Sequence, residues 1–147
     1  MSYRLSLEIS SDIPEAELIR TIDEIIDGMT PDQKAAKLIL PPLVFPNTDP
    51  FNTSVCAASG ITFLPKFSVG FQITHDESAS DAIIVACQIT HDLWKRIGGD
   101  GNLYTENVET IASFCRHHRD FYVNSTFSVA SEIAKRLPSS KIIRMEE

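Results

Sequence analysis

The stretch FSVGFQITHDESASDAIIVACQITHDLWKRIGG, residues 67–99, joins a strand pattern directly to a helix pattern. In residues 67–74 apolar side chains alternate with small or polar ones, which predicts a strand with one buried face. From residue 80 to residue 97 the apolar residues recur at helical spacing, and Gly98-Gly99 ends the pattern. The strand face contains Phe67, Val69, Phe71 and Ile73; the helix stripe contains Ala82, Ala86, Ile89, Leu93 and Ile97; the polar side of the helix contains Gln88, His91, Asp92 and Lys95.

The residues before this stretch add a strand, two helices and a loop. YRLSLEIS, residues 3–10, alternates apolar with polar side chains and predicts a first strand. Asp12 offers an N-cap and Pro14 an early helical position, so an amphipathic helix is predicted to run to about Gly28. A similar capping pattern in residues 30–33 predicts a second helix to about Leu38. PPLVFPNTDPF, residues 41–51, holds four of the eight prolines and predicts a long loop whose apolar residues pack on the domain.

The remaining segments complete an α+β domain. SVCAASGITFLP, residues 54–65, predicts a strand that turns near Pro65-Lys66 into the strand at residues 67–74. GGDG is predicted to be a turn, and NLYTENVETIASFC and DFYVN, residues 102–115 and 120–124, are predicted to form the next three strands, with a turn at residues 116–119, before a last helix at about residues 126–137. The predicted order is β-α-α-β-β-α-β-β-β-α. Hairpins separated by helices favour a mainly antiparallel sheet with helices packed on one side.

Length and composition predict one soluble domain spanning residues 1–147. Hydrophobic residues make up 43% of the chain and charged residues 22%, as in a globular protein. The N-terminus reaches acidic residues too early for a signal peptide, and no run is apolar enough to span a membrane, so a cytoplasmic location is expected. Cys56, Cys87 and Cys115 are odd in number and widely spaced, so they are predicted to be buried thiols.

The net charge of -7 is unevenly distributed along the chain. Residues 1–33 contain eight acids and two bases, whereas residues 110–147 contain four acids and six bases. An acidic surface argues against nucleic acid as the partner, because nucleic-acid binders usually present a basic patch to the phosphates. A basic partner and an electrically polar molecule are expected.

The segment SFCRHHRDFYVN, residues 113–124, brings a thiol, two imidazoles and a carboxylate close in sequence. Zinc would need three or four converging ligands, and a Cys-His nucleophile would need a defined geometry, neither of which sequence proximity provides. We expect Cys115 to pack inward and the RHHR segment to form a solvated hairpin tip. Chance explains the two ITHD tetrapeptides, which end at Asp76 and Asp92, because one follows a strand and the other lies within a helix.

No motif assembles a catalytic site in the sequence. Gly98, Gly99 and Gly101 follow a helix, whereas a phosphate-binding loop follows a strand and opens a helix. The pairs Glu106/Glu109 and Asp76/Glu77 have no identifiable acid–base partner. We therefore predict a protein that is not an enzyme and requires no metal or cofactor.

The pattern of glycines, aromatic residues and strand ends resembles the immunity proteins of bacterial polymorphic-toxin systems, particularly the Sit immunity group. The resemblance covers about residues 1–10 and 60–124. It rests on YRLSLEIS and on two sets of fold-determining residues: Gly60, Phe63, Pro65, Val69 and Phe71; and Gly99, Asp100, Leu103, Glu106, Asn107 and Asn124.

The resemblance implies an immunity protein that neutralises a cognate toxin domain by steric occlusion. An acidic inhibitor suits a basic toxin, which it can approach under electrostatic steering. The acidic side of the first helix is the predicted partner-binding surface, formed by Glu17, Asp23, Glu24 and Asp27. Another protein-interaction or regulatory module is the alternative function, followed by a small enzyme with an unrecognised site. The sequence leaves the oligomeric state open.

Overall fold

The computed structural model of the protein describes residues 2–34, 38–74, 79–106, 109–116, 120–126, 129–137 and 140–145. The helices are α1 (Glu15–Asp27), α2 (Pro31–Lys34), α3 (Ala79–Ile97) and α4 (Ala130–Arg136). The strands are β1 (Ser2–Ser10), β2 (Leu38–Pro46), β3 (Ser54–Val55), β4 (Thr62–Phe63), β5 (Phe67–Thr74), β6 (Asp100–Thr105), β7 (Thr110–Phe114), β8 (Phe121–Asn124) and β9 (Ser140–Ile143).

Seven strands form one sheet in the order β2-β5-β1-β6-β7-β8-β9. Each neighbouring pair is antiparallel except β8 and β9, which are parallel. The predicted α+β class with a mainly antiparallel sheet is therefore confirmed. β1 lies in the centre, between β5 and β6, so the N-terminal strand organises the sheet.

The core lies between one face of this sheet and the helices α1, α3 and α4. The alternating side chains of β1 and β5 supply its sheet side, as their period-two pattern predicts, because successive side chains point to opposite faces of a strand. The helix stripes supply the other side. The fully or almost fully buried members include Leu5, Leu7, Ile9, Leu18, Ile22, Val69, Phe71, Ile73, Ala86, Ile89, Leu93, Leu103, Phe114, Phe121, Val123 and Ile133.

The predicted turn between α3 and β6 is present and depends on two glycines. Gly98 and Gly99 have φ values of 65° and 93°, a conformation that residues with a Cβ rarely adopt. A Cβ on Gly99 would also overlap the backbone carbonyl of Ser10. The turn therefore brings the end of α3 against the end of β1 and starts β6 beside it.

Three elements differ from the predicted order. The proline-rich segment was expected to be a loop, but residues 38–46 form the edge strand β2. Residues 54–65, predicted to form one strand, form the short pair β3 and β4. A last strand, β9, follows α4 although no strand was predicted there. The prediction that α2 continues to Leu38 is wrong because Leu38 already belongs to β2.

Helix boundaries and one helix face also need correction. α1 begins at Glu15 with Pro14 in the N-cap position, so the predicted cap at Asp12 is wrong. α4 begins at Ala130, later than predicted. His91 was assigned to the polar side of α3 but is only 4% exposed. The helix end near Gly28 and the span of α3 are confirmed.

None of the described helices packs on the second face of the sheet, which is partly covered by residues 47–66, here called the flap. Asn102 accepts a hydrogen bond from the Ala57 N–H at 3.2 Å and donates one to the Val55 carbonyl. Ser113, the cross-strand neighbour of Asn102, contacts Cys56 Sγ at 3.1 Å. Phe63 and Cys115 join Cys56 in a small second core there. The flap is thus fastened over β6 and β7, and we call this second face the open face.

Candidate functional site

The four carboxylates predicted to bind a partner all lie on α1, which packs against α3 and β2. Buried Leu18, Ile22 and Ile25 hold the inner side of the helix. Three of the carboxylates, at positions 23, 24 and 27, are classed as exposed, and that of Glu17 is 45% exposed. The predicted residues therefore share one helix and its outer surface, which we call the acidic helix surface and define as Glu17, Asp23, Glu24 and Asp27.

Two of the four carboxylates are already paired with cations. Glu17 Oε1 lies 3.8 Å from Arg20, and Glu24 Oε2 lies 3.2 Å from Arg96 of α3. Exposed pairs of this kind contribute little to stability, but each arginine offsets part of the local negative potential. Within the part of the chain that the structure describes, Asp23 and Asp27 form no salt bridge. The field of the acidic helix surface therefore comes mainly from these two aspartates.

Asp23 also borders a groove between α1 and the edge strand β2. The groove has a volume of about 180 Å³ and is lined by Ile19, Ile22, Asp23, Pro41, Pro42, Leu43 and Val44. Its walls are apolar apart from the Asp23 carboxylate. The groove links the acidic helix surface with the proline-rich strand, two features that the sequence analysis treated separately.

In the structure Cys115 and Asp120 have different surroundings. Cys115 is 1% exposed and packs in the second core, as predicted for a buried thiol. Asp120 is paired with Lys141 of β9 at 3.0 Å. His117 and His118 lie outside the described residues, so their predicted position at a hairpin tip stays a prediction. Cys56 and Cys87 are buried as well, and burial raises the pKa of the Cys87 thiol to about 12, so this thiol stays protonated at neutral pH.

His91 lies in an aromatic cluster beneath α3. Its ring is 5.1 Å from Phe121 and 5.5 Å from Trp94, measured between ring centroids. Burial lowers the pKa of His91 below its ordinary value, although Asp92, 3.5 Å from Nδ1, opposes this shift. The imidazole therefore packs as a neutral ring at neutral pH. The other ITHD copy includes His75 and Asp76, which lie outside the described residues.

Glu8 and Tyr104 form a polar pair on the open face that the sequence analysis missed. The Tyr104 hydroxyl donates a 2.7 Å hydrogen bond to Glu8 Oε1, and Glu8 Oε2 is buried without a hydrogen-bond partner. Burial and the Glu8 carboxylate raise the pKa of Tyr104 well above its ordinary value. The phenol therefore acts as a fixed donor at neutral pH. The alternation of β1 placed Glu8 on the polar face, but only the strand order brings it beside Tyr104.

Among the described residues, no three His, Cys, Asp or Glu side chains come close enough to bind a metal ion together. Glu106 and Glu109 form hydrogen bonds with neighbouring strands and turns. The Glu106 carboxylate accepts a hydrogen bond from the Arg4 backbone N–H at 2.8 Å, and the Glu109 backbone N–H donates one to the Thr105 hydroxyl. In the same part of the chain, no helix combines the length and the apolar composition that a membrane crossing requires.

The residues on which the resemblance rests have structural contacts where the structure describes them. Asp100 accepts hydrogen bonds from the backbone and side chain of Arg116 at 2.9 and 3.1 Å. Asn124 donates to the Thr110 carbonyl and accepts from the backbone of Met145, so it connects β7, β8 and the residues after β9. Asn107 lies outside the described residues. No known protein family, curated protein or solved structure matches the chain.

Proposed function

We propose that the protein is an immunity protein that binds a basic bacterial toxin domain and neutralises it by steric occlusion. The resemblance to the Sit immunity group motivates this proposal. The acidic helix surface supplies the recognition element, and the mechanism is to cover the toxin's functional cleft. No chemistry by this protein is required.

The supporting observation is the spatial separation of charge across the sheet. α1 packs beside β2, at one edge, whereas α4 and β9 lie at the opposite edge. The basic residues at that far edge are Lys135, Arg136, Lys141 and Arg144. Lys135 and Lys141 are paired with Glu132 and Asp120, at 3.3 and 3.0 Å. Residues 120–147 contain four bases and four acids, so the sequence asymmetry becomes an acidic end at α1 and a far end whose charges balance.

A molecule with this charge distribution approaches a basic partner with its α1 end first. The attraction acts over roughly a Debye length, about 8 Å at physiological ionic strength, before any contact forms. Complementary charge of this kind raises the association rate more than it raises affinity. An acidic end suits toxins whose active sites are basic clefts, such as those that bind nucleic acid.

The first prediction concerns association rates. Replacing Glu17, Asp23, Glu24 and Asp27 by Lys should slow binding to the toxin domain encoded in the neighbouring open reading frame by about tenfold or more at low ionic strength. The salt dependence of the rate should become weaker, while the circular dichroism spectrum stays that of the wild type. Stopped-flow or surface-based kinetics at low and high salt provide the measurement.

Glu132→Lys is the control for this experiment, because Glu132 is an exposed helical carboxylate at the far edge. It should leave the association rate nearly unchanged. Co-expression tests the biological role: an immunity protein should restore the growth of cells that produce the toxin domain. Absence of both binding and growth rescue would contradict the proposed function and favour a regulatory module or an enzyme.

A further inference from the structure

Exposed apolar side chains are concentrated in one part of the described chain. Nine large apolar residues are classed as exposed, and only Ile19 and Ile142 lie outside residues 39–64. Single exposed apolar residues are ordinary on a soluble protein, whereas groups of them bordered by polar residues mark interaction surfaces. We call this group the apolar surface; its members are Ile39, Leu43, Phe45, Phe51, Val55, Ile61 and Leu64.

The β2 members of the apolar surface lie on the open face. Leu43 is opposite Gly70, and Phe45 is opposite Ser68, in the pairing of β2 with β5. Gly70 and Ser68 are in turn opposite Ser6 and Glu8 of β1. The residues between and beside these two, Leu5, Leu7 and Ile9, point into the helix-covered core, so Ser6 and Glu8 point to the open face. Small or polar side chains therefore form the floor of the face beside Leu43 and Phe45, which project from the edge strand and remain 50% and 48% exposed.

The edge strand is poorly suited to recognition by strand addition. Pro41, Pro42 and Pro46 interrupt the row of backbone N–H donors that an added strand would need. A partner that approaches this edge must therefore bind to side chains. The groove between α1 and β2, about 180 Å³ in volume, is smaller than a typical small-molecule site but can hold one apolar side chain of a protein.

Charge around the apolar surface specifies the chemistry of its partner. Residues 38–65 contain no Lys or Arg, and their one charged residue is Asp49. Asp23 lies in the wall of the groove next to Leu43. An apolar segment that contains one carboxylate, contains no cation and borders Asp23 complements a partner with apolar anchors next to Lys or Arg. It would repel a second copy's acidic end.

We propose that the apolar surface is where the toxin domain docks, with an apolar anchor in the α1–β2 groove and basic residues facing Asp23. This inference rests on the proposed function and adds the location of the interface to it. The acidic helix surface then guides the approach, and Leu43, Phe45 and the flap hold the complex. The two surfaces meet at Asp23, so one bound domain can contact both.

The test separates dissociation from association. Leu43→Ser should raise the dissociation rate of the complex with the neighbouring toxin domain by about tenfold or more, with little change in association rate, because buried anchors act mainly on dissociation. Leu64→Ser, at an equally exposed flap position, provides a second variant if Leu43→Ser impairs folding. Ile142→Ser is the matched control: Ile142 is 46% exposed but lies on β9 at the far edge.

Each outcome has a distinct meaning. Faster dissociation for Leu43→Ser or Leu64→Ser, with a wild-type rate for Ile142→Ser, supports the docking surface. Binding by the wild type with unchanged dissociation in both variants would overturn the docking surface and leave the immunity role intact. No binding by the wild type would overturn the proposed function itself. Light scattering that shows a wild-type dimer dissociated by Leu43→Ser would assign the surface to self-association and overturn this inference.

Discussion

His91 illustrates how the surroundings of a single residue can override the pattern of its helix. Helical spacing placed it with Gln88 and Lys95 on the polar side of α3. α3 is covered by the sheet, by α1 on one flank and by α4 on the other, so its buried arc is wider than a single apolar stripe. The aromatic rings of Trp94 and Phe121 fill the space around the imidazole.

His91 should make stability depend on pH. Its folded-state pKa lies below the ordinary value of 6.5, so the unfolded chain binds the proton more readily. The free energy of unfolding should therefore be highest above about pH 6.5, fall as the pH decreases below that value, and level off below the folded-state pKa. Urea unfolding at a series of pH values measures this dependence.

His91→Gln is the comparison for this prediction, since it removes the titration while keeping a polar side chain of similar length. Its curve of unfolding free energy against pH should be flatter than that of the wild type between about pH 7 and about pH 5. Parallel curves for the two proteins would mean that protonation of His91 is not coupled to folding.

Leu93 and Ile89 test the residue-level description of the main core. Both are almost fully buried on the sheet side of α3, as the sequence predicted. Truncating either to Ala should lower the free energy of unfolding by roughly 2–5 kcal/mol, because methyl groups are lost and a cavity is left. Ile19→Ala, at an exposed position on α1, should cost much less. A change below about 0.5 kcal/mol at both core sites would contradict the assigned face.

At the level of elements, the spacing of apolar residues predicted the helices and strands that bury a single side. β1, β5, α1 and α3 each bury one side against the same core, so their spacing of apolar residues was sufficient. β2 was missed because prolines argue against a strand, yet at a sheet edge one side of the backbone needs no partner. The register of β2 against β5 shifts between Ile39 and Leu43, which accommodates Pro41 and Pro42. β9 is only four residues long, which is too short to show a recognisable alternation of apolar and polar residues.

Of the candidate interface, the sequence predicted the acidic residues of α1 but not the exposed apolar residues. The acidic residues of α1 are visible in the sequence because a charged helix face has a clear spacing. Leu43, Phe45 and Phe51 were interpreted as packing on the domain, since apolar residues usually do. The structure leaves these three exposed, and Phe51 is 88% exposed. Which apolar residues stay uncovered depends on the strand order, and local spacing contains no information about that.

The flap should open without unfolding the sheet. Asn102→Ala removes the hydrogen bonds to Ala57 and Val55, and a hydrogen bond of this kind contributes about 0.5–1.5 kcal/mol. Because the main core is on the other face, residues 47–66 should exchange amide hydrogens faster while β1 and β5 keep their protection. Hydrogen exchange read by mass spectrometry measures both. Asn102→Asp keeps one hydrogen-bond acceptor, so the exchange rate of residues 47–66 should lie between those of the wild type and Asn102→Ala. Equal exchange protection of these residues in all three proteins would contradict the role of Asn102 in fastening the flap.

At the level of the whole molecule, the sheet converts a sequence gradient of charge into a spatial one. Six inter-strand steps of about 4.8 Å place β2 and β9 about 29 Å apart. That distance is several Debye lengths at physiological salt, so charges at the far edge contribute little to the field at the acidic end. Variants at the far edge, Glu132→Lys and Ile142→Ser, can therefore serve as controls, because the proposed steering surface on α1 and the α1–β2 groove both lie at the β2 edge.

The central position of β1 has a consequence for how the protein is made. Among the described strands β1 is synthesised first, whereas its two neighbours are formed by residues 67–74 and 100–105. Until residue 105 has emerged, the strand cannot be paired on both sides, and its apolar side chains depend on chaperones or on transient local collapse. A truncated chain that lacks β6 should therefore aggregate instead of folding.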